Sequence, residues 1–355
     1  MAVQKRTSLK EIAALTGFSI TTISLVLNGR AAEFNISKVT RDLILDVAKQ
    51  HNYQPNLHAR SLRNRTADIV GLIVPTLCNR FFSEMAERFE NLARSDHKMA
   101  LITVTHYEPA KEIETIRYFI SQNVDCVFVA NPMALEDLSG QCCGAGIRHI
   151  VLDSQESLRQ TVTTNNFEAA LELTRMLLAS MRAAGRDGRI YFVGGMLEHN
   201  VTQHRLAGFK AALNEQKTAA FSNDQFIGTN FTEDAGYRRI RDLFCSNSDI
   251  GGIFLNSLLP FDGLIRFFPE APDACRQVHY GIFDYHPVMS LLVDLHVLIV
   301  KQDPEAMIQK AYEMFVAGEG GEAGGLTHYI PYQIILTRAM KQYFPDYPVR
   351  SVTMS

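Results

Sequence analysis

The stretch Ser8–Asn28 reads S-L-K-E-I-A-A-L-T-G-F-S-I-T-T-I-S-L-V-L-N and predicts two short helices joined by a tight turn. Ser8 and Glu11 have the spacing of a capping box, in which each side chain satisfies a backbone N–H group at a helix start. Gly17 supplies a residue that accepts the left-handed conformation at a helix end. Ser19 is the N-cap candidate of the second helix. Two short helices joined by a turn that contains Gly form a helix-turn-helix.

The second helix of this pair has an inner and an outer face. The inner face carries Ile23, Val26 and Leu27, and the outer face would present Ile20, Thr21, Ser24 and Leu25 to a DNA groove. An ordinary helical hairpin packed on a larger body is the alternative interpretation. The N-terminal position and the basic segment that follows favour DNA binding.

Charge is divided unevenly along the chain. Residues 1–66 hold ten Lys/Arg and four Asp/Glu, a net charge of +6, whereas the remaining residues hold 25 and 34, a net charge of −9. This distribution is typical of a nucleic-acid-binding protein in which only the basic part approaches phosphate. Within the basic part, Ser37 is predicted to cap a third helix that runs to about Asn52. Its apolar residues Leu43, Ile44, Val47 and Ala48 would close a three-helix core.

A basic linker follows the third helix. Residues 55–66 read P-N-L-H-A-R-S-L-R-N-R-T, which is too short and too polar for a stable isolated helix. We expect this segment to become helical only on a partner. Arginine beside leucine suits the minor groove of DNA, where an apolar side chain wedges between base steps. A merely solvated linker is the alternative.

Composition indicates a globular protein. Hydrophobic residues make up 46% and charged residues 21% of the 355 positions, without the long apolar runs of a membrane protein. The N-terminal M-A-V-Q-K-R-T-S lacks the apolar core of a signal peptide, so we expect a cytoplasmic protein with no membrane partner. The six scattered cysteines are expected to be small buried side chains. A redox-active pair at Cys142-Cys143 is the alternative for those two residues.

From Ala67 onward, strand-like stretches alternate with amphipathic helical stretches. Nine strands are predicted to begin near residues 69, 100, 126, 149, 189, 225, 252, 278 and 297. Such alternation indicates βαβ units with parallel sheets, and nine strands favour two lobes over one. Ligands bind beyond the carboxyl ends of the strands in such sheets, so the cleft between the lobes is the predicted site.

Polar and aromatic residues follow the predicted strands. Residues 79–82 follow the first strand, and Asp153, Asn256, Asp284 and Gln302 follow later ones. Carboxylates and amides beside aromatic rings suit a polyhydroxylated ligand, although each residue taken singly is equally consistent with a turn or cap. No catalytic motif is present and the eleven histidines lack metal-ligand spacing. We therefore expect no enzyme activity, no metal and no other cofactor.

These motifs resemble the lactose-repressor-type (LacI/GalR) family of transcription regulators along nearly the whole chain. The resemblance is carried by the Ser8–Asn28 stretch, A-R-S-L-R at 59–63, H-R-L-A-G-F at 204–209, V-K-Q-D at 300–303 and I-P-Y-Q-I-I-L-T-R at 330–338. Within the family, the chain is most similar to the branch of sucrose-operon repressors, and next to the fructose (catabolite) repressors. The resemblance implies an α/β fold with a three-helix helix-turn-helix head, a hinge helix and a two-lobed periplasmic-binding-protein-like body with two parallel sheets.

The resemblance also implies domain boundaries. The helix-turn-helix head would span residues 1–54, the hinge 55–66, and the effector-binding and dimerisation domain 67–355. Lobe 1 is expected at about 67–164 and 298–329, and lobe 2 at about 165–297 and 330–355.

Site residues follow from the same resemblance. DNA contacts are implied at Ser19, Ile20, Thr21, Thr22, Ser24, Leu25, Asn28, His58, Arg60 and Leu62. Apolar Ile20 and Leu25 would read thymine methyl groups in the major groove, and Leu62 would insert into the minor groove. Effector contacts are implied at Phe81, Asp153, Arg205, Phe231, Asn256, Asp284 and Gln302. Arg205 would hold sugar hydroxyls or other effector oxygens, and Phe231 would stack on the ligand.

The implied function is that of a homodimeric repressor of a sucrose or fructose utilisation operon. It would bind a palindromic operator and release it when fructose or a fructose phosphate binds between the lobes. The C-terminal R-S-V-T-M-S has no leucine heptads, so a dimer is expected rather than a tetramer. A fructose-phosphate-responsive global catabolite regulator and a regulator of another sugar operon are alternatives. A sugar-phosphate-converting enzyme fused to a DNA-binding head, and a plain sugar-binding module, also stay open.

Overall fold

The computed structural model describes residues 7–53, 67–155, 160–215, 221–247, 249–320 and 325–347. The chain forms two compact units, Met1–Ala67 and Asp68–Ser355, which we call the head and the body. The hinge predicted at 55–66 lies outside the described residues.

Three helices form the head: α1 (Leu9–Thr16), α2 (Ile20–Leu27) and α3 (Lys38–Gln50). The predicted capping box is present, because Glu11 N–H donates to Ser8 Oγ at 3.3 Å and Ser8 N–H donates to the Glu11 carboxylate at 2.6 Å. Gly17 ends α1 with φ 74°, and the direction of the chain bends by 108° between α1 and α2. Local caps therefore set the helix-turn-helix geometry.

The core of the head consists of Ile12, Ile23, Val26, Ala31 and Ile44. The prediction that Leu43 belongs to this core is wrong. Its side chain is 46% exposed, because the buried face of α3 passes through Ile44 and Ala48. In the described part of the chain, no single helix is long and apolar enough to cross a membrane. The bent pair α1–α2 meets that criterion by length and composition only.

Two six-stranded sheets form the body, one in each lobe. The strands are β1 (Ile69–Val74), β2 (Met99–Val104), β3 (Cys126–Ala130), β4 (Arg148–Leu152), β5 (Thr161–Thr163), β6 (Arg189–Val193), β7 (Phe226–Ile227), β8 (Ile250–Leu255), β9 (His279–Phe283), β10 (His296–Lys301), β11 (Thr327–Tyr329) and β12 (Gln333–Leu336). The first sheet has the order β11-β5-β4-β3-β1-β2, and the second has the order β12-β10-β9-β8-β6-β7. Neighbouring strands are parallel, except that the edge strand β12 is antiparallel to β10.

Helices cover both faces of the two sheets. In chain order they are α4 (Arg80–Ser95), α5 (Pro109–Ser121), α6 (Leu135–Gly144), α7 (Asn166–Ala183), α8 (Asn200–Glu215), α9 (Glu233–Ser246), α10 (Leu258–Phe267), α11 (Pro272–Arg276), α12 (Pro304–Val316) and α13 (Arg338–Lys341). Successive residues of β1 serve opposite faces: Leu72 packs with Phe89 of α4, and Ile73 packs with Phe119 of α5. Burial on both faces explains why the central strands are continuous apolar runs.

The predicted strands are found, and each begins within two residues of its predicted start. The strands β5, β11 and β12 were not predicted; they have three or four residues each and lie at or next to the edge of a sheet. The vicinal cysteines lie on α6, where Cys142 is buried and Cys143 is exposed, and neither forms a disulfide.

The chain passes between the lobes after β5, after β10 and after β11, as the sheet to which each neighbouring strand belongs shows. One expected boundary is corrected. A second passage at residue 298 would cut β10, yet the whole of His296–Lys301 lies in the second sheet, paired with both β9 and β12. The passage therefore comes after Lys301, and α12 then packs in the first lobe.

Candidate functional site

The helix α2 presents the predicted DNA-reading residues at its first turn. Ser19 caps the helix by accepting a hydrogen bond from Thr22 N–H at 3.1 Å, and its hydroxyl also lies 2.9 Å from that of Thr22. Ile20, which is 44% exposed, and Thr21 project into solvent immediately after this cap. Exposed residues at the N-terminal end of the second helix are those that reach base edges in a helix-turn-helix.

The remaining residues predicted to contact DNA differ in solvent exposure and in the hydrogen bonds of their side chains. Ser24 and Leu25 are half-buried. The Asn28 side chain folds back and donates to Ser24 O at 2.6 Å, so it also serves to end α2. His58, Arg60 and Leu62 lie outside the described residues.

In the body, four predicted residues lie at the carboxyl ends of strands. Asp153 follows β4, Asn256 follows β8, Asp284 follows β9 and Gln302 follows β10. All four side chains are at least 96% buried. Parallel strands bring these ends to one edge of each sheet, so these residues line the cleft between the lobes.

Arg205 of α8 is the buried cation of this cleft and is only 3% exposed. Its Nε donates to Asn166 Oδ1 at 2.7 Å, and its Nη1 donates to Asn256 O at 2.5 Å. Its guanidinium carbon lies 3.9 Å from the centre of the Phe283 ring, which is cation–π geometry. These contacts hold the arginine in one orientation.

The two buried carboxylates differ in their environment. Burial raises the pKa of Asp153 to about 7, an effect that nearby Arg205 partly offsets and Asp284 reinforces. Burial also raises the pKa of Asp284, but Arg205 and hydrogen bonds from Gln302 and Asn79 counter the rise. Gln302 Nε2 donates to Asp284 Oδ1 at 2.6 Å. Hydrogen bonds thus stabilise the ionised form of Asp284, whereas Asp153 has a pKa near neutrality.

Asn79 and Asp284 join the two lobes. Asn79 caps α4 in the first lobe by accepting from Phe81 N–H at 3.0 Å, and its side chain also hydrogen-bonds Asp284 of the second lobe. A second link joins Gln155 of the first lobe, whose N–H donates to Asn200 Oδ1 at 2.9 Å, to α8 of the second. The cleft is therefore held together by polar contacts at more than one point.

An aromatic stack also crosses the cleft. Tyr107, which follows β2 in the first lobe, stacks on Phe231 of the second lobe with ring centres 4.5 Å apart and planes inclined by 14°. His199 packs edge-on against Phe231 at 5.1 Å, and burial lowers the pKa of this histidine to about 4. A cavity of about 490 Å³ lies beside His199 and is lined by residues 132–137 and 198–200.

Phe81, also predicted to meet the ligand, packs in the hydrophobic core of the first lobe and is 4% exposed. Its ring is edge-on to Phe82, with centres 5.1 Å apart. Core packing accounts for this side chain, so its contact with a ligand stays a prediction. Tyr107 is the first-lobe aromatic residue that lies opposite Phe231.

Eight buried side-chain oxygens that follow the carboxyl ends of strands have no hydrogen-bond partner in the described part of the chain. They are Thr105 Oγ1, Asn131 Oδ1, Asp153 Oδ1, Thr164 Oγ1, Thr229 Oγ1, Asn256 Oδ1, Ser257 Oγ and Gln302 Oε1. Each belongs to a residue within two positions of the carboxyl end of a strand. Buried polar atoms are rarely left unpaired, so the cleft has the hydrogen-bonding capacity for a polar ligand.

The backbone is strained at the same place. Positive φ angles occur at Tyr107 (58°), Asn131 (54°), Asp153 (47°), Phe231 (50°) and Asp284 (71°). Such conformations are uncommon outside glycine, and they cluster at functional sites.

Gly195 allows the side chains of Thr202 and Asn256 to lie close to its backbone. Gly195 follows β6 with φ 72°, and a Cβ atom there would lie 2.3 Å from Thr202 Oγ1 and 2.6 Å from Asn256 Nδ2. Asn256 Nδ2 donates to Thr202 Oγ1 at 3.1 Å in the space that remains. Four further residues of the cleft were not predicted from the sequence, although their position after a strand would have indicated them: Thr105, Tyr107, Asn131 and Thr229.

Both the head and the body match known protein families. Residues 70–322 match the family described as periplasmic binding protein domain, and residues 8–56 match bacterial regulatory proteins, lacI family. The sucrose operon repressor of Klebsiella pneumoniae is 28% identical over 334 residues, covering 92% of this chain and 97% of that protein. The ribitol operon repressor of Klebsiella aerogenes is 32% identical over 192 residues, covering 54% and 71% respectively. The crystal structure of the lac repressor dimer bound to operator and the anti-inducer ONPF has a similar fold, with TM-score 0.77 and 16% identity over 95% of this chain and 99% of that chain.

Proposed function

The chain belongs to the lacI family of bacterial regulatory proteins, and we propose that it represses a sugar or polyol utilisation operon and leaves its operator when the body binds that compound. Its relatives are operon repressors and not enzymes, which disfavours the fused-enzyme alternative. The observation that carries the proposal is the set of eight unpaired polar oxygens at the carboxyl ends of the strands. Each such buried atom costs about 1–3 kcal/mol, so a ligand rich in hydroxyl groups is strongly favoured.

In this proposal α2 enters the major groove of a half-site, with Ile20 and Thr21 nearest the base edges. A dimer would place two such helices on a palindromic operator. The outer edge of the first sheet supports dimer formation, because β2 is an edge strand on which Met99 is 54% and Ile102 is 36% exposed. Apolar edge strands need a cover, and a second copy of the chain supplies one.

Ligand binding would be coupled to DNA binding through the contacts that cross the cleft. A sugar that enters must rearrange the Tyr107–Phe231 stack and the Asn79–Asp284 hydrogen bond. The relative position of the lobes then changes, and with it the spacing of the two heads in the dimer. Linkage of about 1–3 kcal/mol corresponds to a roughly 5- to 150-fold loss of operator affinity. Fructose, a fructose phosphate and ribitol are the first compounds to test.

The experiment is selection of binding sites from a random duplex library by the full-length protein, followed by fluorescence anisotropy on the selected duplex. We expect a palindromic sequence whose affinity falls with rising salt and falls again when the sugar is added. Recovery of no enriched sequence, or binding that no sugar or polyol alters, would contradict the proposal.

A further inference from the structure

We propose that the cleft selects an uncharged polyhydroxylated compound, such as a free sugar or an alditol, and rejects the corresponding phosphate esters. This inference rests on the proposed function, because it specifies the ligand of the same cleft. Two independent observations carry it: the balance of buried charge, and the kind of hydrogen-bonding atom left without a partner.

The buried charges leave no cation for a phosphate. Arg205 faces two buried carboxylates, Asp153 and Asp284, and it acts electrostatically on both. In the described part of the chain it is the one cation that acts on this pair. Its Nε and Nη1 are already engaged with Asn166 and Asn256. A phosphate dianion would add its charge to a group that is already neutral or negative, in a region from which water is excluded.

The other basic and titratable groups do not change this balance. Lys301 lies with its ammonium 5.3 Å from the Tyr285 ring centre, and Arg80 pairs with Glu84 at 2.7 Å. His199 is buried and its pKa lies near 4, so it is neutral at physiological pH. Burial raises the pKa of Tyr107, which keeps the phenol neutral as well.

Four of the eight unpaired oxygens are carboxylate or amide oxygens, which accept hydrogen bonds. They are Asp153 Oδ1, Asn131 Oδ1, Asn256 Oδ1 and Gln302 Oε1, and the other four belong to hydroxyl groups that can donate or accept. The orientation of Gln302 is fixed, because its amide N–H already donates to Asp284. Hydroxyl groups of a sugar supply the donors that these oxygens require. The oxygens of a phosphate dianion supply none.

The stacking pair agrees with this assignment. Phe231 and Tyr107 stack on each other across the cleft, so a ligand that separates the two rings meets an apolar ring face on each. The C–H face of a sugar can pack on such rings while its hydroxyl groups reach the polar atoms. A ligand with one apolar face and many hydroxyl donors therefore matches both the aromatic rings and the acceptor oxygens of the cleft.

The test is calorimetric titration of the full-length protein with neutral compounds and their monophosphates in matched pairs: fructose with fructose 1-phosphate and fructose 6-phosphate, and ribitol with ribitol 5-phosphate. We expect the tightest ligand to be neutral, and its phosphate ester to bind at least about tenfold more weakly. A phosphate ester as the tightest ligand would overturn the inference. Failure of every neutral compound to bind would overturn it too.

A charge-removing variant supplies a second measurement. Asp284→Asn retains an acceptor for Gln302 and removes one negative charge from the cleft, so the preference for the neutral compound should shrink by about tenfold. Asp273→Asn makes the same change in net charge on the surface, where the side chain is 93% exposed, and should leave the preference unchanged. An equal preference in wild type and Asp284→Asn would remove the electrostatic explanation.

Operator binding distinguishes this inference from the function on which it rests. Wild-type protein that binds its operator but prefers phosphate esters refutes the inference and leaves the repressor proposal intact. Wild-type protein that prefers neutral sugars but selects no DNA sequence refutes the repressor proposal and leaves the inference about the ligand intact.

Discussion

Replacement of Arg205 by methionine should make the stability of the body depend more steeply on pH. Methionine keeps most of the length of the side chain but removes the charge that faces Asp153 and Asp284. It also removes the donors to Asn166 Oδ1 and Asn256 O. Breaking a buried ion pair from one side costs about 3–5 kcal/mol, because an uncompensated charge remains buried.

The sign of the pH effect follows from the direction of the carboxylate pKa. The pKa of Asp153 is about 7 in the folded body against the ordinary value of 3.8. The folded state therefore retains a proton that the unfolded chain releases, and the stability of the body falls as pH rises from about 4 to about 7. The difference of about 3 pH units corresponds to about 4 kcal/mol. Without Arg205 both carboxylates bind protons more tightly. The stability of the body therefore begins to fall at the same pH as in wild type, but it continues to fall to a higher pH.

The assay is urea unfolding followed by far-ultraviolet circular dichroism at about pH 5 and about pH 7.5. We expect Arg205→Met to be less stable than wild type by about 3–5 kcal/mol at the higher pH. At the lower pH the deficit should shrink to about 2 kcal/mol, the contribution of the lost hydrogen bonds. Arg94→Met is the control, because Arg94 pairs with Glu90 on an exposed helix face and should alter neither value. An equal deficit at both pH values would refute the reasoning.

Three further predictions concern the cleft, the hinge and the packing of the second lobe. The chain contains no tryptophan, so Tyr107→Trp places a single tryptophan against Phe231, and the emission of that tryptophan should shift on addition of the effector. An unchanged spectrum at saturating effector would show that the ligand does not disturb the stack. Leu62→Ala should lower operator affinity by anisotropy and leave sugar affinity by calorimetry unchanged, whereas equal operator affinity would remove Leu62 from the hinge contact. Gly208→Ala should lower the melting temperature by several degrees, because the new Cβ atom would lie 2.3 Å from Phe167 O. An unaltered melting curve would mean that α7 and α8 can move apart without loss of stability.

The head illustrates how much can be read from local sequence. The capping box of Ser8 and Glu11, the left-handed Gly17 and the cap at Ser19 each involve residues at most three positions apart. Interactions of this kind depend on the local backbone alone, so spacing predicts them well. Leu43 was assigned wrongly because the apolar face of α3 is set by which side meets α1 and α2, and periodicity does not specify the edge of that face.

The body shows which contacts cannot be predicted from local sequence. Position after a strand was sufficient to indicate Asp153, Asn256, Asp284 and Gln302, because parallel strands always bring their carboxyl ends to one edge. The sequence alone did not reveal that Tyr107 meets Phe231, since the two are 124 residues apart and lie on different lobes. Phe81 lies in the core of the first lobe, which position after a strand did not indicate, because an aromatic residue there can face either the cleft or the core.

The sequence by itself determined the helix-turn-helix, the alternation of strands and helices, and the polar character of the strand ends, since each depends on the chemistry of neighbouring residues. The tertiary structure alone decided which strand belongs to which lobe, that one arginine serves two carboxylates, and which oxygens stay unpaired. Those properties depend on burial and on distances between residues far apart in the chain. Burial changes the energy of a charge or an unpaired acceptor by several kcal/mol, and only the folded chain fixes it.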